Sequence, residues 1–410
     1  MKVLWFEVTV PSRYRNEGSV IGGWQDSLES IVRSCPEIEL SVAFESQEDT
    51  SRIVDGVAYY PIKLNCSKRE KRKTSSFWEI KSKKLLPKLK ELIEIVCPDV
   101  IHVFGTEWPF GLVAELTEVP VVIHIQGSIV FYNNALYPPG YSLMKEVRCF
   151  WRHPTKLRST VRSWKQAKSR EIVENKVWDC VTNYMGRTRW DEAMSSVMHP
   201  NRNYYHVDEA LRDSFLNVKR QWQVKGRETI ILFSTGCSTF WKGPDLLLKT
   251  ARILTQLKID FKWLVAGLMP GRLRQYVEWN EKVTFEQCNV KLIGFVEPER
   301  LTELLLESTL YVHTAYVENS PNSICEAQIL GLPVVSTNVG GISTLVRDRV
   351  DGILVPANDP WQMAFEIIEL SNDLDRMSMY SRNSRERAEK RHNPDNIKEQ
   401  LLNCYGQLMK

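Results

Sequence analysis

The 410-residue chain contains no apolar run approaching the ~18 consecutive residues that a membrane-spanning helix requires. Its nine cysteines, scattered from Cys35 to Cys404, are odd in number and include no Cys-x-x-Cys pair. That spacing argues against a disulfide framework and a structural zinc site, and fits a reducing compartment. Charge of one sign is not in excess: the formal net charge is +4, so a nucleic-acid partner is not expected. No Gly-x-Gly-x-x-Gly follows the first apolar strand, which speaks against a dehydrogenase. Glu7 interrupts the apolar opening Val3-Leu4-Trp5-Phe6 too early for a secretory signal, so a cytoplasmic location is expected.

What is present is a soluble, globular composition, 43% hydrophobic and 25% charged, on a chain long enough for two cores. Short apolar runs alternate with longer helical patterns, the grammar of parallel sheets covered by helices. In the first half the strands read as 3–8, 40–44, 100–104, 119–125 and 180–182, with helices over 24–34 and 85–97. The polar stretch 218–228 (VKRQWQVKGRE) separates these from a second series at 229–234, 261–266, 291–293, 310–314 and 334–337. This predicts an α/β chain of two Rossmann-like, doubly wound domains facing across a ligand cleft at the carboxyl ends of their strands. The expected bounds are 1–222, 223–385, and a helix over 386–410 that packs back on the first domain.

The sharpest chemistry lies at Tyr316-Val-Glu318-Asn-Ser-Pro-Asn322-Ser323-Ile324-Cys325-Glu326-Ala327, followed by Gly331-Leu-Pro-Val-Val and Gly340-Gly341. Two glutamates flank seven residues across a strand–loop–helix junction. Asn322 or Ser323 is placed to cap a helix whose first amides, those of Ile324, Cys325 and Glu326, offer a diphosphate site, with Ser323 beside them. Glu326, one turn inside, is placed to accept from ribose hydroxyls, and Glu318 to reach a transferred sugar. Ser323 to Glu326 also spells a capping box, in which the glutamate only returns to the cap. A second constellation, Ser234-Thr235-Gly236-Cys237, ends in Trp241-Lys242-Gly243-Pro-Asp245; a lysine there can neutralise a departing diphosphate.

These motifs resemble the E-x7-E signature and Lys-Gly turn of the retaining GT-B glycosyltransferases, glycosyltransferase family 4, of the kind that builds bacterial surface polysaccharide. The resemblance is specific over about 229–356 and looser before it. It implies Glu318, Lys242 and His124 as catalytic residues. It implies donor contacts from Asn322, Ser323, Ile324, Cys325, Glu326 and the Gly294-Phe295 turn, and from the Gly22-Gly23 loop. The donor is a nucleotide-diphosphate sugar, UDP-linked in preference to GDP-linked, and no metal is expected. Two departures stand out. The usual Phe-Gly after the first glutamate is Asn319-Ser320-Pro321, and the usual diphosphate arginine falls on Cys237. Arg187 is the expected replacement, and Glu107 is expected on the acceptor side.

Basic residues are concentrated in the first half. Lys68–Lys90 carries ten against two acids, and Lys145–Arg170 nine against one, with Phe77, Trp78, Phe150, Trp151 and Trp164 among them. Such segments suit an anionic membrane surface, and hence a lipid-linked saccharide acceptor at the inner face of a membrane. The expected activity is hexosyl or N-acetylhexosaminyl transfer in polysaccharide or lipopolysaccharide assembly. The alternatives are a non-catalytic sugar-nucleotide-binding or membrane scaffold and a sugar-nucleotide 2-epimerase.

Overall fold

A computed structural model describes residues 1–15, 23–226 and 228–410, the side chains of Lys68 and Arg69 excepted. The chain divides into two compact units. Unit 1 comprises residues 1–133, 161–210 and 392–410, and unit 2 comprises 134–160 and 211–391. The division therefore falls at 210/211, ahead of the polar stretch that suggested 222. A 27-residue segment from the middle of the first half, 134–160, belongs to unit 2.

Unit 1 is built on eight strands: β1 (Lys2–Glu7), β2 (Glu39–Glu45), β3 (Arg52–Val54), β4 (Val57–Ile62), β5 (Val100–Phe104), β6 (Val121–His124), β7 (Asn183–Gly186) and β8 (Asn203–His206). Their order is β3-β4-β2-β1-β5-β6-β7-β8, and only the β3–β4 pairing is antiparallel. Because side chains alternate along a strand, β1 serves two cores. Leu4 and Phe6 join Leu85, Leu89 and Trp178 on one face, while Val3 and Trp5 join Leu28, Val32, Leu401 and Tyr405 on the other. The helix Pro394–Leu408 thus belongs to unit 1, where Tyr405 accepts from Trp5 Nε1 at 2.9 Å and meets His102 Nδ1 at 2.7 Å. The strand expected at 180–182 lies at Asn183–Gly186, because the preceding helix runs on through Cys180.

Unit 2 holds a six-stranded, all-parallel sheet: β9 (Ile230–Thr235), β10 (Phe261–Ala266), β11 (Val290–Gly294), β12 (Leu310–His313), β13 (Val334–Thr337) and β14 (Ile353–Val355). Their order, β11-β10-β9-β12-β13-β14, reverses direction between β9 and β12. Ligands of open parallel sheets bind beyond the strand ends at such a reversal. β3, β4, β8 and β14 were not legible as strands. Both sheets are otherwise as the alternation predicts.

Candidate functional site in unit 2

The β9 and β12 strand ends bring together the two sharpest sequence motifs. After β9, Lys242 ends a single 3-10 turn and Gly243 follows with φ +70°. A Cβ on Gly243 would lie 1.8 Å from the Thr314 carbonyl oxygen, so the lysine loop presses directly on the chain leaving β12. The amide of Tyr316 donates to Trp241 O at 2.7 Å, and Thr314 Oγ1 donates to Lys242 O at 3.0 Å. Asp245, the last residue of the Lys-Gly-Pro-Asp string, is fully buried and accepts from Tyr316 Oη and Lys249 Nζ, each at 2.9 Å. Its place in the string is therefore to fasten the two loops together.

The result is an ion pair at the sheet reversal. Lys242 Nζ donates to both carboxylate oxygens of Glu318 at 2.7 Å, with Glu318 only 7% exposed. From the other side Gly340 (φ +53°) allows close backbone approach: a Cβ there would fall 1.8 Å from Glu318 O. The amide of Gly341 donates to that same oxygen at 3.1 Å. Gly340 thus leaves room for the backbone of Glu318, and Gly243 for the chain at Thr314 that leads to it. His313, the last residue of β12, places Nε2 4.0 Å from Glu318 Oε2. Burial holds its imidazole down to about 4, with Glu318 opposing and Lys242 reinforcing that shift, so it is neutral at pH 7.

The helix Asn322–Leu330 carries Glu326 on its second turn, and the capping expectation is corrected here. Its N-cap is Pro321, without a side-chain cap, and neither Asn322 nor Ser323 takes that role. Both Ile324 N and Cys325 N bond to Pro321 O, at 3.0 and 3.4 Å. Of the amides expected to hold a diphosphate, those two therefore have a turn partner, and Asn322 and Ser323 occupy the first two helical positions. Glu326 is buried and makes no capping box. Its Oε1 accepts from Arg212 Nε at 3.0 Å and NH2 at 2.5 Å. Burial raises the Glu326 carboxyl, opposed by Arg212.

Three more glycines line the ends of neighbouring strands: Gly236, Gly267 and Gly294 all have positive φ. Gly267 N donates to Gly294 O at 2.7 Å, and Gly236 N to Ala266 O at 3.1 Å. Gly294 closes β11 and leaves Phe295 half exposed beside it. Cys237, at the position where the family has arginine, is buried, and burial pushes its thiol up to about 12. The chain's one Asp-x-Asp tripeptide, Asp373-Leu-Asp375, starts a helix, where Asp373 Oδ1 accepts from Arg376 N at 2.9 Å.

The other predicted residues lie in unit 1. Gly22 falls outside the described residues, and Gly23 is the N-cap of the helix Trp24–Arg33. His124 ends β6 fully buried, its ring edge-on to Trp24 at 4.6 Å, and neither ring nitrogen has a hydrogen-bond partner among the described residues. Arg187, expected as the replacement arginine, is 2% exposed. Its NH2 donates to Ile125 O and Gln126 O at 3.2 and 3.4 Å, and its guanidinium stacks 4.7 Å over Trp24. These contacts make it a brace for the end of β6. Glu107 follows β5 beyond Gly105 (φ +80°), and burial, aided by Glu174, raises its carboxyl to about 7. Glu174 gave no sequence signal within its charged helix. It is buried and accepts from Thr106 Oγ1 at 2.6 Å and from Ser128 Oγ, Ile129 N and Val130 N at 2.9 Å each.

Comparison with known proteins gives partial matches to this chain. Residues 216–387, wholly within unit 2, match the family described as glycosyl transferases group 1. That match spans under half of the chain, and the two-sheet architecture is that of GT-B proteins. Among curated proteins, the chain is 26% identical over 190 residues to an uncharacterized glycosyltransferase of Methanocaldococcus jannaschii, covering 46% of this chain and 48% of that one. It is 30% identical over 173 residues to the D-inositol 3-phosphate glycosyltransferase of Salinispora tropica, covering 40% and 36%. The chain thus spans about half or less of the length of these relatives. Among solved structures, sucrose-phosphate synthase from Thermosynechococcus elongatus superposes with a TM-score of 0.71 at 15% identity, covering 99% of this chain and 98% of that one. Anabaena HepE, in complex with UDP and glucose, gives 0.66 at 15% identity, covering 99% and 100%.

Proposed function

We propose that the chain is a retaining glycosyltransferase that moves a sugar from a nucleotide-diphosphate donor, UDP-linked in preference to GDP-linked, to a glycan or lipid-linked saccharide. The observation that carries this reading is the Lys242–Glu318 pair, set where β9 and β12 diverge. An ammonium there can neutralise the charge that grows on a departing diphosphate. The Glu318 carboxylate can accept from sugar hydroxyls and orient the anomeric carbon. As the bond from that carbon to the diphosphate oxygen breaks, the acceptor hydroxyl attacks from the same face. Its oxygen forms the new glycosidic bond and its proton passes to the leaving phosphate. Glu326 can exchange its Arg212 bonds for ribose hydroxyls, and the amides of Asn322 and Ser323 can meet a phosphate oxygen. No step in this sequence calls on a metal. The name of one relative, the amylovoran biosynthesis glycosyltransferase AmsK of Erwinia amylovora, supports saccharide assembly as the setting.

The test is release of free sugar from a panel of UDP-, GDP- and ADP-sugars, with binding followed in parallel, for the wild type and Glu318→Ala. Binding of one donor, with slow sugar release that is lost in Glu318→Ala, is the expected result. Binding of none of them would overturn the reading.

A second surface favours an acceptor presented at a lipid interface. Within unit 1 the start of the helix Trp78–Val96 packs against the later part of the helix Pro154–Cys180: Trp78 N donates to Ser169 Oγ at 2.6 Å, and Arg170 lies 4.6 Å over the Trp78 ring. The two basic segments, the second from Val161 on, thereby lie side by side. Phe77, Ile80, Val161 and Trp164 are exposed among Lys71, Arg72, Lys73, Lys83 and Lys165. Cations around exposed aromatics suit an anionic headgroup layer. No helix among the described residues is long and apolar enough to cross a membrane.

A further inference from the structure

His313 has no part in the chemistry derived above, yet it is held against it. It closes β12 at 4% exposure, with its ring stacked along Tyr311, whose hydroxyl lies 2.9 Å from Thr235 Oγ1 at the end of β9. His313 Nε2 is buried, has no hydrogen-bond partner among the described residues and stands 4.0 Å from Glu318 Oε2. A buried ring nitrogen without a partner is costly, and one that faces a carboxylate gains from a small closure of the gap. The oxygen it faces is one of the two that Lys242 holds at 2.7 Å.

The lysine cannot serve two anions equally. A diphosphate carries more charge than one carboxylate and draws the ammonium toward itself. Glu318, 7% exposed, is then left with less than a full cation, a poor situation for a buried carboxylate. We propose that His313 is a positioning residue that takes over Glu318 when the donor diphosphate draws Lys242 away. A shift of about 1 Å closes the gap to hydrogen-bond length. With the proton on Nε2, the ring donates to Oε2 and holds the carboxylate in place without removing its charge. The other oxygen, Oε1, stays open to a sugar hydroxyl. The neutral state that burial imposes on His313 suits this task, since an imidazolium would quench the carboxylate instead. The inference rests on the transferase reading for its purpose, but the handover itself needs no donor.

That separation sets the experiment. In the full chain labelled with 15N-histidine, the His313 ring signals are identified by their loss in His313→Gln. Lys242→Met removes the lysine with no nucleotide present. The expected result is a shift of the Nε2 resonance in Lys242→Met that disappears in the Lys242→Met/Glu318→Ala double variant. UDP added to the wild type should move the same resonance in the same direction. A signal that does not move in Lys242→Met, or that moves equally without Glu318, overturns the handover. For turnover, His313→Phe should lower kcat for sugar release about tenfold, the worth of one hydrogen bond to a charged group, with the UDP Kd within about twofold. His313→Gln, which keeps an N–H donor, should recover most of that loss. Equal losses in both variants overturn the positioning role. Failure of the wild type to bind any of the nucleotide sugars would refute the transferase reading and leave the Lys242→Met resonance test standing.

Discussion

Lys242 Nζ lies 2.7 Å from each carboxylate oxygen of Glu318, yet the two side chains are unequally placed: the lysine is 28% exposed and the glutamate 9%. Removing either therefore leaves a different remnant. Lys242→Met strands a carboxylate with little access to water, whereas Glu318→Ala leaves an ammonium that can turn to solvent. Lys242→Met is expected to lower unfolding free energy by about 1–3 kcal/mol, more than Glu318→Ala, and the double variant by less than the two losses added. Urea denaturation of the four proteins measures this. Equal losses would show that the glutamate is better solvated than its surroundings imply.

The glycines make a graded series. Gly243→Ala and Gly340→Ala set a Cβ 1.8 Å from the Thr314 and Glu318 carbonyl oxygens, whereas a Cβ on Gly236 (φ +79°) meets nothing within 4 Å. Gly236→Ala should cost only the left-handed backbone strain of about 1–2 kcal/mol. The other two must shift the chain that carries the ion pair, so they should lose more stability and nearly all donor hydrolysis. Melting temperatures and sugar release for the three variants decide it.

Glu107 gives a pH dependence with a definite sign. Its carboxyl is raised from an ordinary 4.5 to about 7, by burial first and then by Glu174, so the folded chain holds its proton more tightly than the unfolded chain. Its contribution is fully present below pH 4.5 and is lost as pH rises through 7. Glu107→Gln, neutral throughout, should show a smaller decline in stability between pH 4.5 and 8 than the wild type. Parallel declines in denaturation curves taken across that range would remove Glu107 as their source.

The basic face of unit 1 makes a salt-dependent prediction. Vesicles containing about one-third phosphatidylglycerol should sediment with the wild type at low salt and release it as salt rises. Lys71→Glu/Lys73→Glu should weaken binding by about 1 kcal/mol for each cation lost, and Trp164→Ala should lower what remains at high salt. Binding equal to that on neutral vesicles would separate this face from lipid.

The sequence carried the sheets because parallel strands, covered on both faces, write themselves as unbroken apolar runs. Phe261–Ala266 and Val334–Thr337 fall where the runs place them. The short edge strands β3 and β8 are partly exposed and polar, and left no such trace, while β14 is apolar but only three residues long. Glu318, Lys242 and the glycines around them were legible because their spacing is local. Arg212 was not, for it reaches Glu326 across 114 residues. His313 had a signal that went unread: a titratable residue two places after Tyr311 in a buried strand shares that tyrosine's face. The cap at Asn322 or Ser323 failed because Pro321, extended and just ahead of the helix, already occupies the N-cap position.

The bond from Trp5 to Tyr405 joins residues 400 positions apart and lies in the core of unit 1. A nascent chain therefore makes the first strand of this sheet long before the helix that covers one of its faces. Until synthesis has passed Tyr405, Val3, Trp5, Val32 and their neighbours lack that cover, while the 211–391 stretch of unit 2 has already been made. The unit begun first is the one completed last, and a chain stopped before residue 392 would carry an open apolar face that invites aggregation.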